Sequence, residues 1–360
     1  MDSEKKWGIS MMRLFRLGGD TGTGSGAREV SGDGIMDADR VLAAVPAVDA
    51  VYVKHPGHLT FQGARRLLSG GIHVIMEGIS GFDRAQVLEL QMEADDAGVV
   101  YTEAFKAAAN PCLHGLKGEM HRLGRINRMT FMSCARTPRH ECREEPADTL
   151  PAPDLAHGAL VERGADCIFT MIACFGIPEQ IQADPVFCEN GMDIAGSVQG
   201  RYEGKRCKGA EAEILYSQVS ASHVPSQIRG EKGSLVIRSI ADPSELCFYG
   251  RDGEKEVLAL RTSPVITDEE IRTWIARACL GIHSRHRYVP LRGISGPNPV
   301  NAARCASLIG TGFPTKWNAR LTESNFQTRP GPKCGGCYGE WRQNVLMTHE
   351  VMDRIRSQVL

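Results

Sequence analysis

Few stretches of this 360-residue chain carry chemistry on their face. Gly22-Thr23-Gly24-Ser25-Gly26-Ala27 has the G-x-G-x-x-A spacing that lets a backbone approach a pyrophosphate, and Gly22 and Gly24 are its candidate contacts. Residues 28–36, REVSGDGIM, show no helical apolar period, so the helix N-terminus on which such an anion would sit is not visible. A rearranged glycine-rich loop is the competing reading. Histidine and acid appear at two further points, His55-Pro56-Gly57-His58 and Glu77-Gly78-Ile79, each just after a short apolar run. Cys334 and Cys337 form the one close thiol pair. Zinc would need two more ligands, and only His349 offers itself, so no metal is expected.

The elements that must position these residues follow from periodicity. Val51, Tyr52 and Val53 read as a buried strand, and Phe61, Ala64, Leu67 and Leu68 share one face of a helix that Gly70-Gly71 stops. A second buried strand starts at His73, which completes a β-α-β unit with a right-handed crossover. Such units build doubly wound sheets that bind ligands at the strand carboxyl ends, where Pro56, His58, Glu77 and Gly78 stand. Asp83 and Gln86 have capping-box spacing, Gly98 ends the helix they start, and residues 99–104 are the next strand. Residues 37–44 read as a short helix. From 124 to 262, strand-like runs joined mostly without helices predict a large antiparallel sheet. Residues 136–157 look like a loop over a cleft. Residues 283–337 lose all periodicity and read as an insertion, with helix again from Gly339.

The expected fold class is therefore α/β: a doubly wound, Rossmann-like parallel sheet, apparently truncated, followed by an α+β domain with a large, mostly antiparallel sheet. The boundary falls between residues 108 and 109, with 1–47 degenerate. The hydrophobic content of 42% is enough for two cores. A net charge of −1 favours neither nucleic acid nor a membrane surface as partner. No run of 18 apolar residues and no signal-peptide pattern occurs, so the expected location is cytoplasmic. The 12 cysteines are mostly single and set in apolar runs, which suits reduced core thiols.

The same segments resemble the Gfo/Idh/MocA family of NAD(P)-dependent oxidoreductases. VDAVYV, HPGHLT and GGIHVIMEGI (48–79) stand in the order of the family's VDAVYI strand, T-P-x-x-x-H turn and G-K-H-V-L-x-E-K-P strand. TEAFKAAANP (102–111) resembles its E-A-x-K passage into the second domain, and LGRINRMTFMS (123–133) its I-G-x-I strand start. GALVERGADCIFTMIACFG (158–176) is similar to its G-G-x-x-x-E-L-G-x-Y helix, IRGEKGS (228–234) to its sheet hairpin, and EVMDRIRSQ (350–358) to its closing helix. Roughly two thirds of the chain is covered. KWGIS (6–10) resembles the first strand, but Met11, Met12 and Arg13 follow where a glycine turn belongs. The family lysine of E-K-P is Gly78 here, the turn histidine is Thr60, and the ring residue beyond the helix glycine is Asp166.

The resemblance implies hydride exchange between NAD or NADP and a hydroxyl of a sugar, polyol or cyclic diol. It brings Gly22, Gly24, Pro56, His58, Glu77 and Gly78 to the cofactor, and it implies a homodimer. With the lysine gone, Lys106, Asp166 and Glu162 are the candidates to handle the hydroxyl proton. An aspartate is a weak base unless burial raises its pKa, and helix N-cap duty is the alternative role of Glu162. The competing reading is a catalytically degenerate member that binds a ligand or a partner without turnover.

Overall fold

The computed structural model describes residues 14–17, 28–30, 38–42, 48–53, 59–105, 111–136, 158–189, 191–204, 207–240, 245–260 and 335–359. Five strands, β1 (Leu14–Leu17), β2 (Arg28–Val30), β3 (Ala50–Val53), β4 (His73–Glu77) and β5 (Tyr101–Ala104), form a sheet in the order β2-β1-β3-β4-β5. Every pair is parallel. The expected first strand at residues 6–10 lies outside the described residues, and the first described strand is β1, immediately beyond Met11-Met12-Arg13. Among the described residues the sheet has five of the six strands of a full dinucleotide fold.

Three short helices lie within this part: α1 (Ala38–Leu42), α2 (Phe61–Ser69) and α3 (Arg84–Ala97). All residues of β3 and β5 are buried, as a parallel sheet covered on both faces requires. The ends of α3 are set locally. Asp83 accepts the Gln86 N–H at 2.8 Å, the Gln86 amide returns to the Asp83 N–H at 3.1 Å, and Gly98 closes the helix at φ 67°.

The second sheet has eight strands: β6 (Ile126–Cys134), β7 (Gln180–Phe187), β8 (Asp193–Tyr202), β9 (Ala210–Ser217), β10 (Ser226–Gly230), β11 (Gly233–Arg238), β12 (Glu245–Gly250) and β13 (Lys255–Leu260). Their order is β13-β12-β11-β10-β6-β9-β8-β7, and of these pairs β6–β9 alone is parallel. Parallel neighbours need a crossover, and the one from β6 to β9 carries a π-helical turn (Leu160–Gly164) running into α5 (Ala165–Phe175). This helix packs on β6 and β9, while α4 (Pro111–Glu119) packs on β11, β12 and β13.

The last helix, α6 (Gly335–Val359), starts at Gly335 rather than at the expected Gly339. It touches α3, α5 and β7, and so spans both sheets. Arg342 pairs with Asp95 at 2.6 Å, the Arg84 N–H bonds Asp353 at 3.0 Å, and Gln358 donates to the Ile181 carbonyl at 3.0 Å.

Candidate active site

The winding of the parallel sheet reverses between β1 and β3, and in doubly wound sheets that switch point, here at the carboxyl ends Leu17 and Val53, is where ligands bind. Gly22 and Gly24 belong to the connection after β1, Pro56 and His58 to the one after β3, and Lys106 follows β5. These five residues lie outside the described ones.

Glu77 is the last residue of β4, half-buried, and accepts the Tyr52 hydroxyl at 2.8 Å. The next N–H, of Gly78, donates to the Ala104 carbonyl at 2.8 Å, and Ile79 is buried. Gly78 has φ +71°, and a Cβ built there meets nothing within 4 Å. The position of the family lysine is therefore a left-handed turn beside open space, a conformation that penalises any L side chain. Thr60 has also changed duty. Its hydroxyl accepts the Gly63 N–H at 3.0 Å and caps α2.

The helix side of the site begins at the π-helical turn, an irregularity common at functional sites. Its first N–H groups need acceptors, and Asp193, at the start of β8, takes the Leu160 N–H at 2.6 Å. Burial pushes the Asp193 carboxyl above its ordinary range, and the Leu160 N–H opposes that shift. A Cβ on Gly158 would overlap the Asp193 carboxylate, so this glycine answers to close approach. Glu162 is exposed and accepts the Gln218 amide at 3.0 Å, while Gln218 is fully buried just beyond β9. The alternative of Glu162 as the helix cap is corrected: Asp193 does that work. Neither Asp193 nor Gln218 carries a local sequence signal, because each acts on a residue tens of positions away.

Asp166 sits half-buried in the first turn of α5. The neighbouring Cys167 thiol is pushed well up, first by burial and then by the Asp166 carboxylate. Cys134, at the end of β6, is also raised by burial, against the Arg163 guanidinium. The strand side and the helix side meet through an aromatic stack. Ala104 is the Cα partner of Glu77, and the next residue, Phe105, stacks on Phe169 with centroids 4.1 Å apart. Phe169 lies one turn beyond Asp166, and Trp341 of α6 packs on its ring at 4.6 Å. The end of β5, the strand paired with that of Glu77, and the helix with Asp166 thus share one packed junction.

No group of three or more metal-ligating side chains occurs among the described residues. His349, weighed as a partner for the cysteine pair, is buried and bonds Glu103 at 2.8 Å instead.

A family model described as a family of unknown function (DUF6783) matches residues 280–335, the segment read as an insertion. The scyllo-inositol 2-dehydrogenase (NADP(+)) IolU of Bacillus subtilis (strain 168) is 30% identical over 220 residues, 61% of this chain and 66% of that protein. The uncharacterized oxidoreductase YgjR of Escherichia coli (strain K12) is 30% identical over 235 residues, 64% of this chain and 70% of that one. The match to IolU falls just short of two thirds of that relative's length. Among solved structures, KijD10, a 3-ketoreductase from Actinomadura kijaniata in complex with TDP-benzene and NADP, superposes with a TM-score of 0.62. It is 16% identical, with 96% of this chain and 97% of that one covered, which establishes a shared fold. The two sheets, their order and the two bacterial relatives agree: the chain belongs to the Gfo/Idh/MocA family of oxidoreductases.

Proposed function

We propose that this chain exchanges a hydride between NAD or NADP and a hydroxyl-bearing carbon of a sugar, polyol or cyclic diol. The observation that carries the reading is the stack of Phe105 on Phe169, which joins the end of β5, the strand paired with that of Glu77, to the helix of Asp166 in a doubly wound fold. The similar Bacillus subtilis protein is named for a cyclic polyol and NADP(+), which favours that substrate class and that cofactor. We assign 1–108 to the cofactor and 109–360 to substrate and self-association, a division supported by the separation of the strands into two sheets.

The residues fit a dinucleotide at its nicotinamide end. Glu77 is fixed by Tyr52, and the open space at Gly78 leaves backbone rather than a side chain beside it. When bound, the nicotinamide ring accepts or supplies the hydride. In this proposal Gly22 and Gly24 approach the pyrophosphate, and Pro56 and His58 line the ribose side. Lys106 or Asp166 takes the hydroxyl proton. Glu162, steadied by Gln218, orients the substrate hydroxyls. Fluorescence titration with NADH and NADPH tests the reading. Saturable binding of one of them is expected, and no binding of either near millimolar would discard it.

A second reading, ligand binding without turnover, is favoured by Gly78, where the family lysine is gone. Cofactor binding with no hydride transfer to any of a panel of polyols and diols would select it. We also place the protein in the cytoplasm as a homodimer. Helices α4 and α5 pack on the large sheet, and Val186, Phe187 and Val257 remain exposed on its outer strands. A light-scattering mass equal to the single-chain 39.3 kDa would overturn the dimer.

A further inference from the structure

We infer that Glu103 and His349 form a latch through which the C-terminal helix α6 positions the loop carrying Glu77 and Gly78. Its consequence for cofactor binding rests on the function proposed above; the latch itself does not.

Glu103 lies on β5 with no exposed surface. A carboxylate in such a place needs nearly all its lone pairs engaged. Its Oε1 accepts the Ser80 hydroxyl at 2.5 Å and the Tyr101 hydroxyl at 3.0 Å, and its Oε2 faces His349 Nε2 at 2.8 Å. The three donors come from three elements. Ser80 is in the loop after β4, Tyr101 is on β5 itself, and His349 is in α6, 246 positions along the chain from Glu103.

The histidine is committed to this bond. It is 1% exposed, and its Nδ1 finds no hydrogen-bond partner among the described residues, so the ring hydrogen belongs on Nε2, pointing at Glu103. The helix around it is held firmly. Trp341 Nε1 bonds Thr102 at 3.2 Å, and Arg342 reaches the Gln91 carbonyl at 3.0 Å. On the other side of the carboxylate, Ser80 is fully buried and stands two residues beyond Gly78. The Gly78 N–H bond to Ala104 and the Ser80 bond to Glu103 therefore stitch the loop to β5 at both backbone and side chain.

A buried ionic network adds little net stability over apolar packing, but it fixes directions. If α6 shifts, Oε2 loses its donor, the carboxylate turns, and Ser80 loses its acceptor. The path from the far end of the chain to the cofactor loop has only two hydrogen bonds. Glu103, Ser80 and His349 are positioning residues in this scheme.

The test uses the full-length chain with Ser80→Ala, His349→Ala and His349→Gln. Two readouts are followed: hydrogen exchange of amides 78–82 and NADPH affinity. Ser80→Ala and His349→Ala should each raise exchange in that segment about fivefold or more, the worth of one lost hydrogen bond, with other strands unchanged. Affinity should fall in parallel. His349→Gln, whose amide can donate in place of Nε2, should restore both. A lower unfolding temperature with unchanged exchange and affinity would overturn the latch, since a merely structural role predicts that result. Should His349→Ala not fold, Ser80→Ala decides alone. Should the unmodified protein bind neither cofactor, the hydride-transfer reading falls and the exchange data still decide the latch.

Discussion

At Gly78 the backbone turns through φ +71° and a Cβ would point into open space, whereas at Gly158 a Cβ would strike the Asp193 carboxylate. The first glycine serves the torsion of its own backbone; the second serves a neighbour. The helix side of the site keeps the family pattern at Gly158 and Gly164, where packing leaves no room for change. The strand side has lost its lysine at a place where no packing held it. Selection for folding alone preserves a glycine of the Gly158 kind and does nothing to retain a lysine at Gly78.

That contrast breaks first at Gly158. Gly158→Ala should force Asp193 off the Leu160 N–H and leave a half-buried carboxylate and a helix-end donor without each other, at a cost of about 1–3 kcal/mol. Urea denaturation measures it. A loss under about 0.5 kcal/mol, the ordinary surface range, would show that Asp193 has somewhere else to go.

Gly78 should respond differently. Gly78→Lys and Gly78→Ala should each cost about 1–2 kcal/mol, the left-handed penalty alone, because nothing opposes the side chain. Their activities should separate. Lysine supplies a cation beside Glu77, so hydride transfer should rise above that of the alanine variant. Lower turnover with lysine than with alanine would mean that this turn is not where the family lysine acts.

What was legible in the sequence follows the range of the interactions. The capping box of Asp83 and Gln86 spans three residues and reads directly, as do the β-α-β segment from Ala50 to Glu77 and the glycine that ends α3. The expected first strand, Lys6-Trp7-Gly8-Ile9-Ser10, lies outside the described residues, and β1 (Leu14–Leu17), which no periodicity announced, is identified by its pairing with β2 and β3. Thr60 looked like a lost histidine because a resemblance lists what a position should hold; its hydrogen bond to Gly63 gives it a role of its own. Asp193 at Leu160 and His349 at Glu103 were invisible for one reason. Each partner is specified by tertiary packing, and no spacing rule spans 33 or 246 residues.

The smallest effect is a pH dependence, and it probes the same Asp193 that closes off Gly158. Burial raises the folded pKa of this carboxyl above the unfolded value of about 3.9. A raised carboxyl binds its proton more tightly in the folded state, so its contribution is present below the unfolded pKa and is lost as pH rises through the folded one. Asp193→Asn cannot ionise but keeps an oxygen for the Leu160 N–H. Relative to that variant, the unmodified protein should stand best in acid and fall behind as pH rises above the unfolded value of about 3.9, levelling once the folded carboxyl is ionised. Urea denaturation of the two proteins across that range gives the curve. A difference that instead moves in favour of aspartate toward neutrality would mean that the charge-assisted bond to Leu160 outweighs burial, and that Gly158 guards an interaction stronger than its environment implies.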